Sequence, residues 1–304
     1  MFKPGRLLVL TILFMAVFAG YASAATVGVI LTNGMRYYED INRHLIKDVQ
    51  SRRPGVKFVI ERPYPDEQSW SNAAGSLISS GVSAIITYGA SATQAAINQH
   101  PGVPVIYAGV YAPTAYLLKS KNVAGVKNSL PVASLMRYLK EIVHSGKMGI
   151  IYNSREADSL AQFNEIAPIA QEYGIKPAGL NLQNAPDATA LLAGTQFNSL
   201  FITGCSTAGP VYLKILMMMK ERNIPVVSLV YDRRGQPLIN LYGNPEDQAR
   251  LASGLLIAAL KRGYHKGKSE DSKKYFLIYD FRESASMGLR TSMELVTDAT
   301  KVIY

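Results

Sequence analysis

The chain has 304 residues, is 48% hydrophobic, carries a formal net charge of +10 and contains one cysteine, Cys205. One cysteine excludes an internal disulfide framework, and basic residues scattered without a stripe of interleaved aromatics argue against nucleic acid as a partner. The length and apolar content allow two domains of ordinary size, each with a full core.

Residues 1–24 read as a signal peptide: Lys3 and Arg6 form a basic start, Leu7 to Phe18 an apolar core, and Ala22-Ser23-Ala24 a small-residue cleavage site. The apolar run is shorter than the roughly 20 residues a membrane helix needs. Cleavage after Ala24 is expected to leave a soluble periplasmic protein of net charge +8, with no cysteine at its start to accept a lipid.

From Thr26 onward, short β-rich runs alternate with segments of helical period, the pattern of βαβ units around a mainly parallel sheet. Strands are predicted at Thr26–Leu31, Lys57–Glu61, Ala84–Tyr88 and Val105–Ala108, with helices at Glu39–Arg52, Asp66–Ser80 and Ala92–Gln99. After Asn122-Val123-Ala124-Gly125-Val126 the pattern restarts. Helices are predicted at Val132–His144, Ala157–Tyr173, after Pro186 and at Val211–Arg222. The strands of this half are Met148–Tyr152, Lys176–Leu182, Leu200–Thr203 and Val226–Val230.

The end of the chain adds a strand at Leu238–Tyr242, a helix at Pro245–Lys261, a charged connection from Lys266 to Lys274, a strand at Tyr275–Tyr279 and helical structure from Glu283. The expected fold class is α/β: two Rossmann-like lobes with parallel sheets joined by a hinge. The N-terminal lobe is drawn from residues 25–121 and 240–268, and the C-terminal lobe from 122–239 and 269–304.

In wound parallel sheets, ligands bind outside the carboxyl ends of the strands. The turns at those ends are Thr32-Asn33-Gly34, Gly89 to Thr93, Gly109-Val110-Tyr111, Asn153 to Ser159, Gly204 to Thr207 and Tyr231-Asp232-Arg233. Glycine and hydroxyl residues suit close backbone approach to a ligand, and helix N-termini attract carboxylates and phosphates. Any one such turn is also explained by helix capping; repetition over six turns is what favours binding. The ligand-site candidates are Asn33, Tyr37, Ser91, Ala92, Tyr111, Asn153, Glu156, Ser159, Cys205, Ser206, Tyr231 and Asp232.

Signals for chemistry are weaker. His44, His100, His144 and His265 lack metal-ligand spacing, so no metal site is expected. The glycine-rich turns match neither G-x-G-x-x-G nor a P-loop, and no cofactor is implied. Cys205 sits at a strand end, but no histidine occupies another such turn to act as its base. Met217-Met218-Met219 and Trp70 read as core.

Asn122 to Val126 with Pro131-Val132, then Gly149-Ile150-Ile151-Tyr152-Asn153-Ser154-Arg155-Glu156-Ala157-Asp158-Ser159, resemble the ABC-transporter substrate-binding family that includes tryptophan- and phenylalanine-binding members. Ile224 to Val227, Leu241-Tyr242-Gly243 and the closing Leu277-Ile278-Tyr279 to Val302-Ile303 run fit the same pattern, so the likeness spans nearly the whole mature chain. Its most specific part is Tyr-Asn-x-x-Glu-Ala-x-Ser. The resemblance implies a type I periplasmic-binding fold with three hinge crossovers, a monomer that captures a small organic ligand, aromatic or amino-acid-like, and an inner-membrane ABC permease as partner. It carries Asn153, Glu156 and Ser159 over as cleft residues of the second lobe.

The sequence departs from that pattern at Asp158, where relatives often have asparagine. It also has Ala90 in place of threonine, Ala112 near an expected acid, and Gly204-Cys205 near an expected aspartate. Tyr37, Tyr111 and Tyr231 stand near the cleft instead, suited to a flat or apolar ligand. Two other readings keep the export signal: a ligand sensor for a signalling partner, and a periplasmic enzyme using Cys205 or the Asp232-Arg233 turn.

Overall fold

A computed structural model describes residues 25–143, 146–262 and 268–304. The expected signal peptide, His144 and His265 lie outside the described residues.

The first half winds as β1 (Thr26–Ile30), α1 (Arg36–Arg52), β2 (Lys57–Glu61), α2 (Glu67–Ser79), β3 (Ala84–Tyr88), α3 (Ala90–Asn98), β4 (Val105–Val110), α4 (Ala115–Lys119) and β5 (Val123–Asn128). The first sheet has the order β11-β5-β4-β3-β1-β2, where β11 is Ser269–Ser272, and every pairing in it is parallel. β3 and β4 are buried along their whole length, as continuous apolar runs covered on both faces should be.

One face of this sheet is covered by α1 and by α9 (Pro245–Arg262), the other by α2 and α3. On α1, Tyr37, Tyr38, Ile41, Leu45 and Val49 recur at helical spacing and form its buried stripe. Asp66 caps α2 by accepting from the Ser69 amide, and Trp70 anchors that helix with its indole N–H donating to Thr32 Oγ1 at 2.9 Å.

The second sheet has the order β13-β12-β10-β9-β8-β6-β7. Its strands are β6 (Lys147–Tyr152), β7 (Lys176–Asn181), β8 (Ser199–Ile202), β9 (Val226–Ser228), β10 (Ile239–Gly243), β12 (Tyr275–Asp280) and β13 (Lys301–Ile303); only the β10–β12 pairing is antiparallel. α5 (Val132–Ile142) and α6 (Ala157–Glu172) cover one face. α7 (Ala188–Ala193) and α8 (Tyr212–Glu221) cover the other. The closing segment forms two short helices, α10 (Phe281–Ser286) and α11 (Met293–Asp298), before β13.

Sheet membership moves the expected lobe boundaries. β5 pairs with β4 in the first sheet, because Val123, Ala124 and Val126 bury into that lobe's two cores. β10 pairs with β9 and β12, placing 239–243 in the second lobe. Ser269–Ser272, read from sequence as a charged connection, is an edge strand against β5; an edge strand tolerates polar side chains because its hold is backbone pairing. Among the described residues the chain therefore crosses between lobes three times, near 129–131, at 244 and at 273–274.

Candidate ligand site between the lobes

The carboxyl ends of the two sheets face each other, and the N-terminus of α6 stands between them. The Tyr-Asn-x-x-Glu-Ala-x-Ser stretch braces itself there. The Asn153 amide donates to Ser159 Oγ at 2.9 Å, Asn153 Oδ1 accepts from the Arg155 amide, and Ser159 Oγ pairs with Thr203 Oγ1 at 2.7 Å. Asn153 Nδ2 donates to Thr207 Oγ1 at 2.8 Å, tying the loop after β6 to the loop after β8.

Glu156 is 4% exposed and is held entirely within its own lobe. Its Oε2 accepts from the Ser206 amide at 2.7 Å, and its Oε1 from the Thr207 amide at 2.9 Å and the Thr207 hydroxyl at 2.7 Å. The Cys205 thiol donates to the same Oε1 at 3.4 Å. Burial, followed by the neighbouring Glu156 charge, pushes the Cys205 thiol well above its usual range, so it is protonated at neutral pH and a poor nucleophile.

Asp158, two residues on and 8% exposed, reaches the other lobe. Its Oδ2 accepts from the Ala90 amide at 2.7 Å. Its Oδ1 accepts from the Tyr111 amide at 2.8 Å and the Ala112 amide at 3.1 Å. Those donors lie at the first residue of α3 and just beyond β4. Gly89 (φ 79°) and Gly109 (φ 66°) make the turns that aim them, in a left-handed region natural to glycine. A Cβ on Gly89 would also lie 2.6 Å from the Tyr38 hydroxyl. Burial raises the Asp158 pKa to about 6 against the lowering effect of its three amide bonds, and the charge of Glu156 adds to the rise.

Other contacts join the lobes around this centre. Burial, and then the Asp158 and Glu156 charges of the second lobe, push the Tyr38 hydroxyl well above its usual range. Tyr111 donates from its hydroxyl to Glu165 Oε2 of α6 at 2.6 Å, and the Ala157 amide donates to Ser91 Oγ at 3.3 Å. At the rim, Arg233 of the second lobe forms two 2.8 Å bonds to Asp40 of α1 and donates to the Tyr231 hydroxyl. Asp232 is paired with Arg234; burial opposes its charge, yet the arginine's bonds hold its carboxyl below the usual range.

Of the twelve candidates read from sequence, the structure brings Ser91, Tyr111, Asn153, Glu156, Cys205 and Ser206 around the α6 N-terminus. Tyr37 lies beside it, its ring 3.4 Å from where a Cβ on Gly109 would stand. Tyr231 and Asp232 sit toward the rim, and Ser159 is engaged inside its own lobe, with Asn153 and Thr203. Ala92 packs into the core of the first lobe, and the Asn33 side chain is exposed. Tyr38, Thr207 and Gln162, which accepts from the Gly204 amide at 2.6 Å, join the site without having been singled out. Tyr38 was legible in principle, as the second aromatic on the buried stripe of α1. Among the described residues, no group of three or more His, Cys, Asp or Glu side chains is placed to hold a metal, and no helix is long and apolar enough to cross a membrane.

Two wound sheets joined by three crossovers, with helix N-termini and strand ends meeting across the gap, define a bilobal type I periplasmic-binding fold. The family model for ABC transporter substrate binding protein matches residues 64–260, and the chain belongs to that family. The fold is similar to an ABC domain from Streptococcus pneumonia in complex with L-Trp (TM-score 0.84, 16% identity, covering 92% of this chain and 100% of that one). It is equally similar to a conserved domain protein from Vibrio cholerae O1 biovar El Tor (TM-score 0.84, 15% identity, 92% and 100%). An ABC transporter solute-binding protein from Bacillus halodurans with bound myo-inositol is more distant (TM-score 0.60, 14% identity, 89% and 99%). No curated protein matches in sequence.

Proposed function

We propose that this protein is the exported, periplasmic solute-binding component of an ABC import system, a monomer that encloses a small organic ligand between its lobes and presents it to an inner-membrane permease. The observation that carries the reading is the α6 N-terminus, whose two carboxylates are anchored one in each lobe at the meeting of the strand ends. A group placed there senses the separation of the lobes, and a ligand touching both sides favours the closed arrangement by its differential affinity. Tyr37, Tyr38, Ser91, Tyr111, Ser206, Tyr231 and Asp232 form the surroundings, with Asn153, Glu156, Ser159 and Cys205 holding the second-lobe wall. The contrast between L-Trp and myo-inositol in proteins of this fold leaves the ligand to be decided by these residues.

Native mass spectrometry of the protein released from periplasm tests the reading. A retained small molecule, together with an N-terminus at Ala25, is the expected result, and re-adding that molecule should raise the thermal midpoint as binding linkage requires. Retention of no solute, and no midpoint shift across a panel of amino acids, polyols and aromatic compounds, would count against it.

A further inference from the structure

The bonds of Asp158 have the form of ligand recognition. Three backbone N–H groups of the first lobe converge on one carboxylate at 2.7, 2.8 and 3.1 Å, and that carboxylate belongs to the second lobe. Among the described residues, none of its hydrogen-bond partners is a lysine or arginine. The anion is satisfied by aligned amides alone, as a small carboxylate is at a helix N-terminus.

We propose that Asp158 is a resident carboxylate: the second lobe itself supplies the anion that fills the amide cradle of the first, so ligands with no carboxylate for that cradle are the ones this cleft accepts. The inference rests on the solute-binding reading and narrows its ligand class. Once Asp158 occupies the Ala90, Tyr111 and Ala112 amides, an incoming carboxylate finds no donors there and meets two buried negative charges, Asp158 and Glu156.

A second observation agrees. On the first-lobe side, the Tyr37 hydroxyl and Asn128 Oδ1 are buried and have no hydrogen-bond partner among the described residues. Both crowd the backbone of Gly243 at the second crossover, where an added Cβ would lie 2.5 Å from the hydroxyl and 2.1 Å from the amide oxygen. Both are neutral groups, a hydroxyl and a carbonyl oxygen, that match a hydroxyl or amide on an uncharged ligand. An unpaired buried polar atom is costly, and a ligand that pairs it recovers that cost.

The cradle can be tested with acetate as the probe, against equal sodium chloride, using the mature chain. The readouts are the X-ray scattering radius of gyration and the thermal midpoint. Wild type is expected to be compact and to respond equally to the two salts. Asp158→Ala should have a larger radius of gyration, and acetate, at about a hundred times its dissociation constant, should restore compactness and raise the midpoint by about 5 °C. Asp158→Asn, which keeps an acceptor oxygen, should stay compact and ignore acetate. Should Asp158→Ala fail to fold, Ala90→Pro serves instead. The first helical position accepts proline, and the substitution removes one cradle N–H, so an expanded radius of gyration is expected.

Asp158→Ala as compact as wild type with no acetate effect, acetate acting equally on wild type, or a compact Ala90→Pro would each overturn the proposal. Failure of the solute-binding reading would show separately, as the absence of any retained solute, and would leave the acetate comparison unchanged.

Discussion

Glu156 and Asp158 are neighbours on one turn, both buried and both acceptors of backbone amides, yet they do different work. Every donor to Glu156 comes from its own lobe, whereas every hydrogen-bond donor to Asp158 comes from the other. The first is part of the second lobe's framework and keeps its partners whether the lobes are together or apart. The second has partners only while they are together. A buried carboxylate can therefore be a rivet or a contact, and the address of its donors decides which.

Substitutions at the two positions should separate these roles. The largest effect is expected from Glu156→Ala, which strands the Ser206 and Thr207 amides in the interior; a loss of about 3 kcal/mol in urea unfolding is expected, with little dependence on lobe closure. Next comes the pH response of Asp158. Its native pKa of about 6 lies above the ordinary 3.8, so the folded protein takes up this proton at higher pH than the unfolded chain. The stability of wild type relative to Asp158→Asn should therefore rise as pH falls from about 7 to 4, by on the order of 2 kcal/mol, and level off below. A flat difference between the two proteins over that range would contradict the burial assigned to Asp158.

Tyr111→Phe removes the 2.6 Å bond to Glu165 that also crosses between lobes. A cost of about 1 kcal/mol is expected, smaller than at Glu156 because Glu165 keeps access to water. The smallest effect belongs to Arg233→Ala at the rim, where an exposed pair with Asp40 is screened by salt. A midpoint change within about 1 °C, vanishing in high salt, is the expected outcome.

The wound sheets were legible because β3, β4, β6 and β8 are apolar runs between helices of clear period. β11 was not: Ser-Glu-Asp-Ser has no apolar pattern, and its place is set by backbone pairing to β5. The same physics explains the site. Glu156 stands in the Tyr-Asn-x-x-Glu-Ala-x-Ser stretch that carried the family resemblance, so its position could be read. The partners of Asp158 are amides at Ala90, Tyr111 and Ala112, and a main-chain donor leaves no mark in the sequence. Ala90 and Ala112 read as lost ligand contacts; folded, they are donors that need no side chain.

The late strand β11 also bears on how the chain reaches this structure. The first sheet takes its opening strand from Thr26 and its last from Ser272, and α9 returns to α1 so that Arg52 bonds Ser253 across 201 positions at 2.6 Å. The sequence of the second lobe up to β10 lies inside that loop, so the N-terminal lobe is unfinished until nearly the whole polypeptide is available. Contacts of such long sequence separation form slowly, and the second lobe shares the feature: its last strand is β13 and Tyr138 of α5 bonds Asp298 across 160 positions, so each lobe waits on the end of the chain.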